Sequence, residues 1–208
     1  MHTMITARSN LLPALEDALR SYDRATALHS ARVGSFAGLV GSALGLSAED
    51  LEALCWAGFL HDLGKVSIDQ EVLGRSGPLT ADEWREVQRH SGVGAEILLS
   101  ISPNLAPIAE GVRSHHEWWD GTGYPDGLAG EDIPRFGRII AVADVFDSVT
   151  HPRWYRGHVF TLGEAIALIE STASTHFDPA VVKVFVDLYD QGRMVVRAHD
   201  TPTPSGAR

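Results

Sequence analysis

Apolar residues recur along this chain at three- and four-residue spacing, stripe after stripe, and nowhere alternate with the period of two that marks a half-buried strand. Leu11, Leu12, Leu15, Ala18 and Leu19 form the first stripe, a short lead-in helix with Pro13 early enough for a first turn. A longer helix from about Arg24 to Leu44 carries His29, Val33, Phe36, Val40 and Leu44 along one side. Ser47, Glu49 and Asp50 suit the start of the next, whose stripe runs Leu51, Leu54, Cys55, Gly58, Asp62. After Lys65 comes a loop with Gly74, Gly77 and Pro78; then Thr80 and Glu83, at capping-box spacing, open a helix with Trp84, Val87, His90, Gly94 and Leu98 on one face. Pro103 and Pro107 bracket the start of a stripe of Leu105, Ile108, Ala109, Val112, His115 and His116.

The run Asp120-Gly121-Thr122-Gly123-Tyr124-Pro125-Asp126-Gly127 tolerates neither helix nor central strand and reads as a surface loop. From about Arg135 to Val149 the pattern is apolar nearly all round, which predicts a central helix, and its line Phe136, Ile140, Ala143, Asp144, Asp147 turns two carboxylates inward. Thr161 with Glu164 caps a further helix, and Asp178-Pro179 starts the last one, to about Tyr189. The predicted class is all-α, with no internal repeat.

Composition narrows the function classes. At 208 residues, 44% hydrophobic and 21% charged, the chain suits one soluble globular domain. No apolar run reaches membrane-spanning length and no secretory signal is recognisable, so a cytoplasmic protein with no membrane partner is expected. The single cysteine, Cys55, allows no internal disulfide. A net charge of -10 argues against DNA or RNA polymers as partners, since backbone binding needs basic surface, and any phosphate ligand requires a local positive site.

The chemistry lies in what the helices turn inward: His29, His61, Asp62, His90, His115, His116 and Asp144. One histidine on a buried face is ordinarily a satisfied core residue, but five with two carboxylates are hard to explain as packing. A buried carboxylate needs a cation or a dense hydrogen-bond network. Seven N and O donors exceed a structural zinc site and suit two divalent ions sharing a carboxylate; the lack of thiolates favours iron, manganese or zinc in a catalytic role. With neutral histidines and two ionised aspartates, two such ions leave a surplus near two positive charges, which attracts a phosphodiester and acidifies bound water. Phosphate-ester hydrolysis is the chemistry implied.

The run His61-Asp62-Leu63-Gly64-Lys65, with His29, His90 and Asp144, resembles the HD superfamily of metal phosphohydrolases. His115-His116-Glu117-Trp118-Trp119-Asp120-Gly121-Thr122-Gly123-Tyr124-Pro125 resembles the second motif of its HD-GYP branch, and the likeness spans roughly residues 23 to 187. The resemblance implies an HD-type helical bundle with a metal site in its core, which hydrolyses cyclic di-GMP to the linear dinucleotide pGpG, and often on to GMP, by in-line attack of a metal-bridging hydroxide. Carried over residue by residue, His29, His61, Asp62 and Asp144 hold one metal, and Asp62 bridges to a second held by His90, His115 and His116. Lys65 contacts the scissile phosphate or the attacking water. Tyr124 lines the substrate pocket, Arg153 and Arg156 grip the far phosphate or a guanine, and Asp147 orients a ligand histidine.

Three departures matter. A glutamate that accompanies a third metal is replaced by Ala25, so two ions are expected, iron or manganese. His151-Pro152 and Trp154 alter the substrate wall, and His2, His151, His158, His176 and His199 match no ligand position. The expected organisation is a lead-in helix over 1-22, the phosphohydrolase domain over 23-190 and a disordered tail over 191-208. The competing readings are an HD phosphohydrolase of another nucleotide, and a non-catalytic module that binds cyclic dinucleotides. The input signal is left to the N-terminal helix, a homodimer contact or a sensor partner.

Overall fold

The computed structural model describes residues 12-15, 17, 24-75, 77-151 and 159-194. Expectations for His2, Arg153, Trp154, Arg156, His158, His199 and the tail past residue 194 concern positions outside these. Nine helices run through the described residues: α1 (Arg24–Ala43), α2 (Ala48–Leu60), α3 (Gln70–Leu73), α4 (Ala81–Gln88), α5 (His90–Ile101), α6 (Ala106–Ser114), α7 (Arg135–Thr150), α8 (Leu162–Ser171) and α9 (Pro179–Asp190). Residues 12-15 and 17 are also helical, with Leu12 buried in the core. Among the described residues there is no strand, only one isolated bridge, Ala173 to Phe177. No helix among them is long and apolar enough to cross a membrane.

Helix α7 is the axis of the bundle, with α1, α2, α6, α8 and α9 packed around it. Ile139, Ile140, Val142, Ala143 and Phe146 of α7 are wholly buried, as its all-round apolar pattern requires. Phe146 meets Phe36 and Phe185 edge to face, with ring centres 5.2 and 5.0 Å apart. Such pairs contribute about 0.5–1.5 kcal/mol each beyond the area they bury. Helices α1 and α2 touch backbone to backbone: a Cβ on Gly34 would collide with the Cys55 carbonyl, and one on Gly58 with the Gly34 Cα. That contact brings the His29 and His61 positions together. Side chains of Ser47, Thr80, Thr161 and Asp178 accept the amides that their helix starts leave open, with full capping boxes at Thr80–Glu83 and Thr161–Glu164.

The structure corrects three local expectations. The stripe from Trp84 to Leu98 is two helices, α4 and α5, broken at Arg89, because the His90 ring takes the Val87 carbonyl at 2.6 Å while the Arg89 amide bonds Glu86. Trp84 is 49% exposed, since α4 buries no residue and lies on the surface. His61, Asp62, His115 and His116 fall just beyond the ends of α2 and α6, Leu63–Ser67 is a 3-10 turn, and the loop expected after Lys65 holds the short helix α3.

Candidate metal centre

All seven predicted donors converge. The ligand atoms of His29, His61 and Asp62 lie within 4.8 Å of one another, and so do those of His90, His115 and His116. Asp62 stands between the two groups: its Oδ2 is 3.3 Å from His61 Nε2, and its Oδ1 is 3.6 Å from His90 Nε2. Asp144 closes the first group, its Oδ1 lying 3.1 Å from His29 Nε2 and 3.8 Å from His61 Nε2. Gly64 sets the spacing. A Cβ there would meet the His90 carbonyl and the Gly94 amide, so only glycine lets the turn after Asp62 press against α5.

Hydrogen bonds settle which nitrogen faces inward in four of the five rings. Nδ1 of His61, His90 and His115 sits 2.7, 2.6 and 2.6 Å from the carbonyls of Gly58, Val87 and Val112. A carbonyl only accepts, so each Nδ1 carries a proton and each Nε2 faces the site. Nδ1 of His29 likewise faces Asp147 Oδ2, at 2.6 Å. His90 Nε2 and His115 Nε2 face each other 3.4 Å apart, and buried His61 Nε2 has no hydrogen-bond partner. Imidazole nitrogens turned toward one another beside two carboxylates are the donor set that divalent cations take, so the residues fit a metal centre.

Burial, reinforced by neighbouring histidine charge, pulls His115 well below its ordinary pKa and His116 down to about 3, and burial also lowers His90. These three rings are therefore neutral and able to ligate. Burial raises the Asp62 and Asp144 carboxyls, but the charges of His61 and Lys65 on Asp62, and the His29 bond and His61 charge on Asp144, outweigh it and hold both well below the usual carboxylate range. For His61 the charges of Asp62 and Asp144 outweigh burial and raise the pKa.

Around the donors, Lys65 Nζ reaches Asp62 Oδ2 at 2.7 Å from a side chain that is one-third exposed. The Tyr124 ring stacks on His116 with centres 4.7 Å apart and planes 28° from parallel. Burial and the nearby Asp62 and Asp144 charges raise its phenol pKa, so the hydroxyl keeps its proton. The loop carrying Tyr124 is riveted by buried Glu117, whose carboxylate accepts the Asp126 and Leu128 amides at 2.6 and 3.0 Å, and by the Arg113–Asp126 fork. Trp119 and Asp120 add backbone bonds to His176 and Thr175.

Arg32 and His151 sit behind the donors, His151 there rather than only at the substrate wall where its place beside Pro152 suggested it. Arg32 grips Asp147 with Nε to Oδ1 at 2.6 Å and a terminal nitrogen to Oδ2 at 2.9 Å. His151, only 2% exposed, places Nδ1 3.0 Å from Asp147 Oδ1. Their spacing was visible: Arg32 lies three residues after His29, and His151 four after Asp147. Glu117 stood inside the quoted motif without a task.

An all-α bundle whose centre is a buried double cluster of imidazoles around a shared carboxylate defines a class of metal-centre proteins. Within that class the assignment is direct. The HD domain family model matches residues 13–181, so the chain belongs to the HD domain family, and its His115–Pro125 motif places it in the HD-GYP branch. It is 39% identical over 172 residues to the cyclic di-GMP phosphodiesterase response regulator RpfG of Xanthomonas campestris pv. campestris, covering 82% of this chain and 45% of that protein. It is 35% identical over 178 residues to the 3'3'-cGAMP-specific phosphodiesterase 2 of Vibrio cholerae, covering 85% of this chain and 34% of that one. The chain thus spans less than half the length of these relatives. Among solved structures it is similar to a cyclic GMP-AMP specific phosphodiesterase of V. cholerae, V-cGAP3, with TM-score 0.62 and 25% identity over 81% of this chain and 47% of that one.

Proposed function

We propose that this HD domain is a metal-dependent phosphodiesterase that opens cyclic di-GMP to the linear dinucleotide pGpG, with a second hydrolysis giving GMP. The observation that carries the reading is Asp62, one oxygen turned to each of two donor groups, with Lys65 bonded to it and Tyr124 stacked on His116 beside it. His29, His61, Asp62 and Asp144 would hold one ion, and His90, His115 and His116, sharing Asp62, a second; iron or manganese suits such N and O donors. Divalent ions held there supply positive charge for phosphate oxygens and a source of hydroxide near neutral pH.

The chain's own residues do the rest. Neutral His90, His115 and His116 leave their lone pairs available, and ionised Asp62 and Asp144 contribute the negative charge that retains the ions. The Lys65 ammonium, held at the Asp62 edge, is placed to bind a phosphate oxygen or to orient the attacking water. Tyr124, protonated and stacked on His116, donates from the pocket wall. Arg153 and Arg156 supply forked donors for the far phosphate or a guanine. A second reading, 3'3'-cGAMP as the preferred substrate, draws support from the V. cholerae relatives named for that activity.

The test is product analysis of the metal-assayed protein, purified without oxygen, with each cyclic dinucleotide in parallel and Asp62→Ala beside it. Linear pGpG from cyclic di-GMP, absent in the variant, with about two metals per chain, is the expected result. Ring opening of 3'3'-cGAMP alone transfers the assignment to the second reading. No ring opening of either by fully loaded protein overturns both.

A further inference from the structure

The donor cluster does not end at the histidines. His116 lies 4.0 Å from His115 and 5.1 Å from His90, ring centre to ring centre, and Tyr124 stacks on its outer side. Beyond Tyr124 the series continues to Trp84, whose indole meets the phenol edge to face at 6.4 Å and 79°. Aromatic groups therefore run from the metal donors to a Trp that is 49% exposed.

That exposed indole is held in place. Trp84 sits one residue past the Thr80–Glu83 capping box, so its backbone is fixed in the first turns of α4. Glu83 also pairs with Arg75, and Glu86 accepts the Asp69 amide at 3.1 Å, which ties α4 to the segment that follows Lys65. Both anchors join α4 to the part of the chain that carries the catalytic Asp62 and Lys65. Among the described residues the indole's one ring partner is Tyr124, with the planes 79° apart, and about half of the indole's surface stays open to solvent. Every purine offers a flat π-face, and indole is the amino-acid ring best suited to stack on it.

Resting on the phosphodiesterase reading above, we propose that the exposed Trp84 indole, set nearly perpendicular to Tyr124, is a stacking platform for one purine base of the cyclic dinucleotide, while the adjoining phosphodiester lies over the His/Asp centre. The platform recognises a base by its plane and not by its hydrogen-bonding edge, so it serves guanine and adenine alike. Discrimination between cyclic di-GMP and 3'3'-cGAMP falls to other residues.

The experiment compares wild type with Trp84→Ala, Trp84→Leu and Trp84→Phe, each checked for unchanged metal content and melting temperature. For cyclic di-GMP, Trp84→Ala and Trp84→Leu raise KM by roughly 5- to 150-fold, the loss expected for one stacked base, with kcat within about twofold. Trp84→Phe restores most of the affinity, which distinguishes a flat ring from apolar bulk. The KM penalty is alike for 3'3'-cGAMP, and hydrolysis of the base-free ester bis(4-nitrophenyl) phosphate changes by less than about threefold, since only the phosphodiester part of the site is engaged. Active wild type with an unchanged KM in Trp84→Ala overturns the platform and leaves the activity standing. Equal losses in Trp84→Phe and Trp84→Ala also overturn it. Loaded wild type that opens neither dinucleotide overturns the platform together with the reading beneath it.

Discussion

Asp147→Asn is the most informative single change. The carboxylate is 0% exposed and takes Arg32 on both oxygens, His29 on Oδ2 and His151 on Oδ1. Asparagine keeps the shape and removes the charge, which strands a largely buried guanidinium. Removing one partner of a buried pair costs about 3–5 kcal/mol. At about 2–4 °C per kcal/mol for a chain of this size, Tm falls by roughly 6–20 °C. His29 exchanges an anionic acceptor for at most a neutral amide oxygen, for which Arg32 and His151 compete, and if His29 holds a metal, weakening its outer partner should cost about 10- to 100-fold in metal affinity. The two effects separate: adding Arg32→Met relieves the stranded charge and recovers stability, but not metal affinity. Burial raises the Asp147 carboxyl, and the His151, His29 and Arg32 bonds more than reverse this, so its folded pKa is depressed. Its contribution is full above the unfolded carboxyl's value near ~4 and drains as pH falls from there toward the folded value. Calorimetry against pH and metal titration of the two variants check this. An Asp147→Asn protein that melts with wild type and binds metal as tightly would refute the reasoning.

Chelation followed by readdition of manganese or ferrous iron should raise Tm in steps set by metal concentration, about 2.7 kcal/mol of stabilisation at a hundred times Kd, read by thermal shift; a metal-independent Tm counts against the centre. Gly64→Ala places a Cβ against the His90 carbonyl and Gly94 amide, and should cost about 1–3 kcal/mol in denaturant unfolding while lowering bound metal. Glu117→Ala leaves the Asp126 and Leu128 amides without their buried acceptor, a loss of about 1–3 kcal/mol. It should show as faster hydrogen exchange across the Tyr124 loop.

The all-α class was legible because each helix carries its own period, and in α7 the all-round apolar pattern marked the central position. Helix starts were legible too: Ser47, Thr80, Thr161 and Asp178 are local signals, and each side chain makes its capping bond. The break at Arg89 was not, since a periodic stripe passes through it unchanged and a histidine side chain ends α4. Trp84 was misplaced for a related reason: periodicity says which residues share a face, not whether that face meets the core or the solvent. The convergence of seven donors could be inferred from inward faces. The Arg32–Asp147–His151 cluster could not, because it joins residues 115 apart through a carboxylate whose role depends on which histidine lies above it.

One constraint explains why that cluster exists. A histidine that ligates through Nε2 must park its Nδ1 proton on an acceptor, and near a helix end the backbone provides one, because the i→i−4 ladder runs out in the last turn. His61, His90 and His115 use it alike, each bonding the carbonyl three residues back, at the ends of α2, α4 and α6. His29 lies inside α1, where the neighbouring carbonyls already belong to the ladder. Its acceptor must come from another element, and α7 supplies Asp147. A carboxylate buried for that purpose needs its own counter-charge, which Arg32 provides from the next turn of α1. The three end-of-helix histidines need no such support, so damage to their second neighbours should be local, whereas ligation by His29 would depend on packing between two whole helices.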